Sequence, residues 1–325
     1  MRQVAVVTTG FFDGVHLGHR HVLETLVSSA RERGEEALVV TFWPHPRTVL
    51  QQDARDFRLL TSLEEKKALL LGCGVDRVEV IPFTRAFASL TAEQYLALLW
   101  EKYGATLVVM GYDNRIGCDG RTAASLAGGC SPGRLARDAR SAPPNVSCVL
   151  APQELVSVGP LPLPLAGGGQ APGTASSFQS GAVSSTRIRV VLTEGRVDDA
   201  AAMLGYDYRL HGVVVAGNRL GRTIGFPTAN MQLYEPLKLV PGNGVYAVEV
   251  EVLGQKYRGM TNIGTRPTVG GTTRTIETHI LDFDQDIYGL PLEIRFLRRI
   301  RSEVHFPSLD ALRAQLEKDR IACQG

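Results

Sequence analysis

The first 110 residues alternate short apolar runs with amphipathic stretches of helical spacing. The strand-like runs are 4–7, 38–42, 78–81 and 107–110, and the helical stretches are 22–30, 63–71 and 92–100. This order predicts an α/β domain in which helices cross between neighbouring parallel strands. In open sheets of this kind, ligands bind beyond the carboxyl ends of the strands, so the loops that follow the strands are the first place to search for a site.

The loop after the first predicted strand reads TTGFFDGVHLGHRH over residues 8–21. Gly10, Gly14 and Gly18 would let the backbone approach a phosphate, and the next helix would direct its N–H groups and dipole at an anion. His16 and His19 are three residues apart, which places both imidazoles on one side of the first helical turn. They could donate hydrogen bonds to an α-phosphate during an in-line displacement, although adventitious metal binding or solvated loop histidines would give the same spacing.

Composition excludes several classes of protein. The formal net charge of +2, with Lys and Arg scattered along the chain, does not indicate nucleic-acid or membrane partners. The five cysteines show neither a CxxC pair nor ligand spacing with histidine, so neither a disulfide framework nor a zinc site is predicted. No apolar run reaches about 18 residues and no signal-peptide pattern opens the chain, which predicts a cytoplasmic protein. A GxxxxGK[ST] motif is absent, so a P-loop kinase is not supported.

Residues 118–182 are rich in Gly, Ala, Ser and Pro, and Phe178 is their only aromatic residue. Such a segment can bury little apolar surface, so we expect it to be mostly loop, flap or linker. Helical spacing resumes up to Leu192 and again over 197–204.

From residue 210 onward, short strand-like runs are separated by Gly, Pro and Asp turns, several with period-2 alternation. The runs are 212–216, 244–252, 257–263, 275–283 and 292–297. They predict a small β-barrel or sandwich. A closing helix is expected over 308–318, with Ser308 as its N-cap.

A second loop, GNRLGRTIGFPTAN at 217–230, combines glycines with a Pro-Thr-x-Asn sequence. Gly221 and Gly225 could wrap the backbone around a polyphosphate, and the Thr228 hydroxyl and Asn230 carbonyl are hard oxygen ligands for Mg²⁺. A long surface loop with turn glycines is the alternative. Downstream, Glu277 lies on a predicted strand in mostly apolar company, which suits it to take a proton from an alcohol.

The stretch FDGVHLGH at 12–19 resembles the nucleotide-binding signature of the bacterial bifunctional riboflavin kinase/FAD synthetases, whose N-terminal half belongs to the HxGH nucleotidylyltransferases. Further segments resemble the family in the same order: TFWPHP at 41–46, LLTS at 59–62, PFT at 82–84, GYDNRIG at 111–117 and SSTRIR at 184–189. The PTAN loop, NIGTRPT at 262–268 and ETHILDF at 277–283 closely resemble the riboflavin kinase module from about residue 208 to the C-terminus.

This resemblance implies an α/β Rossmann-like nucleotidylyltransferase domain followed by an all-β, six-stranded antiparallel barrel with a C-terminal helix. The implied domains are 1–190, with the atypical segment 118–182, and 208–325, joined by a helical linker at 191–207. The implied activities are phosphorylation of riboflavin by ATP to FMN and adenylylation of FMN by ATP to FAD. The partners are therefore small molecules, with Mg²⁺ bound alongside ATP.

The family's site residues transfer to this chain by motif. In the first domain they are His16 and His19 for catalysis, with Gly10, Phe12, Asp13, Gly14, Gly18, Ser184, Ser185, Thr186 and Arg189 for ATP. In the second they are Gly221, Gly225, Pro227, Thr228 and Asn230 for MgATP, and Glu277 as the base that activates the riboflavin 5′-hydroxyl. Flavin contacts are expected from Asp113, Asn262 and Arg266, although a surface salt bridge would equally explain Arg266.

The chain departs from the family pattern in two places. Asn114 and Ile116 stand where aromatic residues are usual, and segment 118–182 replaces the expected connection. A riboflavin kinase with a degenerate first domain is therefore one alternative. A non-catalytic flavin-binding regulatory module is another, although such a module would not need a general base such as Glu277.

Overall fold

A computed structural model describes residues 4–50, 56–111, 114–122, 125–126, 154–158, 183–217, 220–268 and 271–324. For residues 154–158, 220, 266–268 and 271–273 it describes the backbone only. The chain divides into two compact units. The first comprises Met1–Phe57 and Leu63–Val183, and the second comprises Arg58–Ser62 and Ser184–Gly325. The domain boundaries at 190 and 208 stay predictions.

The first unit is a five-stranded parallel sheet in the order β3-β2-β1-β4-β5. Its strands are β1 (Ala5–Thr9), β2 (Glu36–Trp43), β3 (Arg77–Pro82), β4 (Ala105–Gly111) and β5 (Glu154–Val158). Its helices are α1 (Leu17–Arg33), α2 (Pro46–Leu50), α3 (Leu63–Gly72), α4 (Arg85–Ala88) and α5 (Ala92–Tyr103). The α/β prediction is confirmed. The strand order reverses between β1 and β4, and such a switch point opens a crevice at the carboxyl ends of the strands.

Both faces of this sheet are apolar because both are covered by helices. On one face Val7, Leu38 and Val108 pack with Leu96 and Leu99 of α5. The opposite face carries a separate cluster in which strand residues pack against α1 and α3; its members include Val6, Val39, Val109, Leu23, Leu26 and Leu70. The alternation along each strand therefore fixes which helix covers which face.

Strand β5 arises from segment 118–182, where we expect mostly loop or linker. It pairs in parallel with β4 from Leu107↔Glu154 to Gly111↔Val158. An edge strand needs only a few residues bonded on one side, so a five-residue run is enough to form it. A composition argument made over the whole segment therefore overlooks this strand.

The second unit opens with two helices, α6 (Ser185–Thr193) and α7 (Val197–Leu204), as the spacing predicts. A closed antiparallel barrel follows, in the order β10-β7-β6-β11-β8-β9. Its strands are β6 (Arg209–Val215), β7 (Ala229–Leu233), β8 (Gly244–Val252), β9 (Gln255–Thr268), β10 (Gly271–Ile280) and β11 (Pro291–Arg301), with the one-turn helix α8 (Leu220–Thr223) between β6 and β7. The six-stranded barrel is confirmed. Strand β7, however, begins inside the stretch that we interpret as loop.

The C-terminal helix α9 (Leu309–Gln324) packs on the barrel, and Leu316 and Cys323 contact a cluster that includes Val245, Ala247 and Met260. Ser308 caps it as predicted, because its hydroxyl accepts a hydrogen bond from the Ala311 N–H at 3.2 Å. The helix continues beyond residue 318. Near its end, the buried Asp319 accepts hydrogen bonds from Arg301 of β11 at 2.7–3.1 Å.

The second unit also includes the short segment Arg58–Ser62. The Leu59 N–H donates to Leu237 O, and the Leu239 N–H donates to Leu59 O, each at 2.8 Å. Arg189 of α6 donates from Nε to Arg58 O at 2.7 Å. A piece of chain that precedes α3 is thus built into the unit that contains the barrel.

Candidate active sites

The loop after β1 makes a tight turn at the carboxyl end of the sheet. Phe12, Gly14 and Val15 have φ angles of 52°, 83° and 38°, and the Gly10 N–H donates to Val40 O at 3.1 Å. Positive φ is unfavourable for residues with a Cβ, so two strained residues next to a glycine mark a loop whose shape is imposed by its surroundings. The Asp13 side chain is buried in this turn.

The two predicted catalytic histidines meet at the start of α1. His16 is the N-cap of the helix, and its Nδ1 accepts a hydrogen bond from the His19 N–H at 3.3 Å. The two rings stack with their centroids 3.6 Å apart and 15° between their planes. Gly18 leaves room for this stack, since a Cβ there would lie 3.2 Å from His16 Cε1. The capping role of His16 was not evident from its spacing.

One ring nitrogen of His19, Nδ1, is available for an additional hydrogen bond. Within the part of the chain that the structure describes, its Nδ1 is buried and has no hydrogen-bond partner. Burial, followed by the charges of His16 and Lys66, lowers the pKa of His19 well below its ordinary value. A neutral imidazole can carry its proton on that nitrogen and donate it to an oxygen at the helix N-terminus, where an anion would be stabilised.

Sequence reasoning missed Lys66 of α3, which lies beneath the same loop and is 1% exposed. Its Nζ donates to Phe11 O at 3.1 Å and to Phe42 O at 3.4 Å. The available signal was its helical spacing, because Lys66 precedes the buried Leu70 by four residues and so lies on the apolar face of α3. Asn114, which departs from the family pattern, also contacts the start of this region, because its Nδ2 donates a hydrogen bond to Thr9 O at 2.7 Å.

The second predicted phosphate cradle belongs to the second unit. Ser184 is the N-cap of α6, and its hydroxyl accepts from the Arg187 N–H at 3.4 Å. Ser185 and Thr186 form the first turn of that helix, and Arg189 contacts the backbone of Arg58. That these residues and the histidines bind the same ATP stays a prediction.

The barrel register brings three predicted kinase residues onto one face. Glu277 of β10 is paired with Asn230 of β7 and with Asn262 of β9. Residues directly opposite each other on antiparallel strands point to the same side, so their side chains form one row, and all three are half-buried. Their neighbours Thr261 and Thr278 point to the other side, where their hydroxyls bond at 2.8 Å. A carboxylate flanked by two amides is thus held on rigid strands.

The loop before β7 packs closely around this row. A Cβ on Gly217 would lie 2.1 Å from Asn230 Nδ2, so the backbone of Gly217 lies directly against the Asn230 amide. A Cβ on Gly221 would likewise lie 2.1 Å from Phe226 O, and Gly225 has a φ angle of 84°. The Pro227 carbonyl lies 2.8 Å from His279 Nδ1, which ties the PTAN sequence to β10. Gly217 and His279 were not among the predicted site residues.

A cavity of about 530 Å³ opens next to this loop. Phe226, Gly225 and His279 line one side, and Arg313, Glu317 and Arg320 of α9 line the other, with Ile224, Asp310 and Ala314 completing it. His279 shares a face of β10 with Glu277, two residues earlier. The cavity is large enough to receive the ring system of a nucleotide or a flavin.

The donors near Asn230 suit a magnesium ion that is held mainly by a substrate. Thr228 and Asn230 offer neutral oxygens, and no group of three or more His, Cys, Asp or Glu residues suited to a metal occurs among the described residues. Mg²⁺ is commonly bound by one or two protein groups together with substrate phosphates. The residues therefore fit an ion that arrives with ATP rather than an all-protein cage.

Two of the predicted flavin contacts cannot be placed in this way. Asp113 lies outside the described residues, and Arg266 lies on β9 with its side chain outside them.

Family models match both units. A FAD synthetase model matches residues 1–130, and a riboflavin kinase model matches residues 204–324. The bifunctional riboflavin kinase/FMN adenylyltransferase of Listeria monocytogenes is 35% identical over 97% of this chain and 90% of its own length. That of Escherichia coli is 36% identical over 98% and 91%, and that of Bacillus subtilis 34% over 97% and 90%.

This chain belongs to the bifunctional riboflavin kinase/FMN adenylyltransferase family. It is therefore an enzyme of flavin synthesis, with a kinase and a nucleotidyltransferase module. The presence of both modules supports the bifunctional prediction over the kinase-only and non-catalytic alternatives.

A solved structure shares the whole architecture. A Streptococcus pneumoniae protein described as a macrolide-efflux protein superposes with a TM-score of 0.84, at 32% identity over 100% of this chain and 95% of that one. Among the helices described in our structure, none is both long and apolar enough to cross a membrane.

Proposed function

We propose that the barrel unit phosphorylates riboflavin at the row formed by Asn230, Glu277 and Asn262, and that the first unit adenylylates FMN at the stacked histidines. The observation that carries this assignment is that each unit has its own set of converging polar groups, on β7, β10 and β9 in one case and at the start of α1 in the other. The two reactions would then run in sequence, because the FMN made by the first is the substrate of the second.

In the kinase reaction, the Glu277 carboxylate takes the proton of the riboflavin 5′-hydroxyl. The resulting oxygen attacks the γ-phosphorus of ATP, the bond to the β–γ bridging oxygen breaks, and ADP leaves. A positioned base contributes about 10² to 10⁴ in rate. Asn262 is proposed to orient the flavin on one side of Glu277, with Arg266 as a further flavin contact.

Thr228 and Asn230 are proposed to hold MgATP, with the close backbone at Gly221, Gly225 and Pro227 wrapping its phosphates. When bound with the nucleotide, Mg²⁺ would neutralise charge on the transferring phosphoryl group. The tight contact between Gly217 and the Asn230 amide supports this role, since it holds the amide in one position.

In the adenylyl transfer, an FMN phosphate oxygen attacks the α-phosphorus of ATP, and the bond to the α–β bridging oxygen breaks to release pyrophosphate. No protein nucleophile is needed. His16 and His19 are proposed to donate hydrogen bonds to the α-phosphate as charge builds on its oxygens. The buried, unpartnered Nδ1 of His19 supports that role.

The remaining first-domain predictions concern the groups around the reacting phosphorus. Gly10, Phe12, Asp13, Gly14 and Gly18 would shape the loop that holds ATP. Ser184, Ser185, Thr186 and Arg189 would bind the pyrophosphate leaving group, and Asp113 the flavin. A cytoplasmic location is likewise proposed, supported by the free thiols of Cys73, Cys118 and Cys323, which suit a reducing compartment.

Reciprocal variants test the two sites separately. The chain is incubated with riboflavin and MgATP, or with FMN and MgATP, and the products are separated by HPLC. Glu277→Gln should abolish FMN formation and leave FAD formation from FMN intact, whereas His19→Gln should do the reverse. His21→Gln is the matched control, because His21 is 40% exposed and pairs with Glu24 at 3.8 Å. The assignment is wrong if either variant loses both activities equally, or if either variant keeps both.

A further inference from the structure

Lys66 is a buried cation that the proposed chemistry does not yet use. It lies on α3 with 1% of its surface exposed. Its Nζ donates to the carbonyls of Phe11 and Phe42 and lies 3.9 Å from the centre of the Phe11 ring. Burying an ammonium group costs free energy even when it is well paired, and an apolar side chain would fill this place without that cost. The charge therefore requires an explanation besides packing.

The two carbonyls that Lys66 binds belong to adjacent strand ends. Phe11 is in the loop that follows β1, and Phe42 is near the end of β2, the parallel neighbour of β1. The Thr41 hydroxyl also donates to Phe11 O, at 3.2 Å. Phe11 is thus fixed by two donors immediately before Phe12, where the backbone enters its positive-φ turn. Lys66 and Thr41 set the point at which the loop towards His16 begins.

The same ammonium group acts electrostatically on the histidine pair. The positive charge of Lys66 contributes to lowering the pKa of His19. Burial lowers the pKa of Lys66 itself to about 8, against the opposing effect of the Asp13 carboxylate. The titratable groups that interact with the Lys66 charge are therefore Asp13 in the loop and His19 in the first turn of α1. A cation below this loop adds positive potential where the phosphates of ATP would bind.

We propose that Lys66 is a positioning residue for adenylyl transfer: its ammonium holds the loop of residues 10–16 through Phe11 O and Phe42 O and keeps a positive charge beneath the ATP phosphates. This inference rests on the proposed function of the first unit. Lys66 itself does not need to touch the substrate. Its effect passes through the loop and through the field at His16 and His19.

The test compares Lys66→Met with Lys67→Met. Lys67 is the neighbouring lysine of α3, is 38% exposed and pairs with Glu64 at 3.5 Å. Lys66→Met should lower kcat/KM for FAD formation from FMN by about 10- to 100-fold, as expected when a reacting group is displaced by about 1 Å. The loss should appear mainly in kcat, because the oriented donors act in the transition state. Lys67→Met should behave as the wild type, and FMN formation in the barrel unit should be unchanged in both.

A pH profile separates this role from a purely structural one. In the wild type, FAD formation should decline as pH rises through about 8, where Lys66 loses its proton. Lys66→Arg keeps its charge at all accessible pH values, so its activity should not decline in this range. Lys66→Met should also lack the decline, but at a lower rate throughout. If Lys66→Met fails to fold, the wild-type and Lys66→Arg profiles still decide the matter.

Two results would overturn the inference. One is wild-type activity that is unchanged from pH 7 to 9.5, and the other is a folded Lys66→Met variant within twofold of the wild type. If His19→Gln abolishes FAD formation while either of these holds, only the role of Lys66 is wrong. A wild-type chain that makes no FAD would instead overturn the proposed function of the first unit, and with it this inference.

Discussion

Replacing Asp319 by alanine removes the ion pair that ties the C-terminal helix to the barrel. Asp319 is 1% exposed and accepts hydrogen bonds from Nε and Nη2 of Arg301, a guanidinium that is 18% exposed. Gln315 also donates to Asp319, at 2.9 Å. The alanine variant leaves the guanidinium partly buried without its carboxylate. Removing one partner of a buried pair costs about 3–5 kcal/mol, and the partial exposure of Arg301 places the expected loss near the lower figure.

The assay can localise this loss, because the only two tryptophans, Trp43 and Trp100, belong to the first unit. In urea, far-UV circular dichroism reports both units, whereas tryptophan fluorescence reports the first. In Asp319→Ala, the part of the circular dichroism transition that belongs to the barrel should shift to a lower urea concentration. The midpoint of the fluorescence transition should stay unchanged. Glu317→Ala is the control for stability, since its pair with Arg320 is exposed and worth at most about 1 kcal/mol. A loss below about 1 kcal/mol for Asp319→Ala would refute the reasoning.

Three further perturbations follow from the sites and the barrel. Gly217→Ala should lower kcat/KM for FMN formation by at least tenfold, since its Cβ would lie 2.1 Å from Asn230 Nδ2, whereas Gly254→Ala, at φ 72° with no atom within 4 Å, should cost only about 1 kcal/mol of stability. Gly18→Ala should slow FAD formation about tenfold and leave FMN formation unchanged, because its Cβ would lie 3.2 Å from His16 Cε1; equal losses in both assays would contradict this. Burial would raise the pKa of Glu293, but hydrogen bonds from His211 and Arg295 lower it to about 2. A carboxyl whose folded pKa is depressed stabilises the protein above its unfolded pKa and loses that effect as pH falls, so wild-type stability should fall by about 3 kcal/mol more than that of Glu293→Gln between pH 5 and pH 2 in urea titrations.

The parallel sheet was predictable because each strand and helix of the first 110 residues has its own hydrophobic period. That His16 and His19 lie on one side of the start of α1 followed from their spacing of three, although their stacking did not. Both are local signals, carried by residues that are close in the sequence. The barrel strands were visible for the same reason, except β7, whose five residues carry glutamine and asparagine among the apolar ones.

The features that sequence reasoning missed depend on contacts between distant residues. The role of Lys66 depends on its hydrogen bonds to the carbonyls of Phe11 and Phe42, which approach it only when α3 packs on the sheet. The row of Asn230, Glu277 and Asn262 depends on the register of three strands, and a shift of one residue would turn its side chains to the other face. A motif identifies such residues without giving the geometry that joins them.

The segment Arg58–Ser62 limits how the enzyme can be divided. Because these five residues belong to the second unit while the chain on either side of them belongs to the first, the polypeptide passes between the units three times. A single cut at residue 184 therefore leaves part of the barrel unit covalently attached to the other fragment. That barrel fragment loses the backbone hydrogen bonds that join Leu59 to Leu237 and Leu239. The two units are therefore not two consecutive stretches of the sequence. An isolated kinase fragment would need residues 58–62 added, either as a separate peptide or grafted onto the fragment.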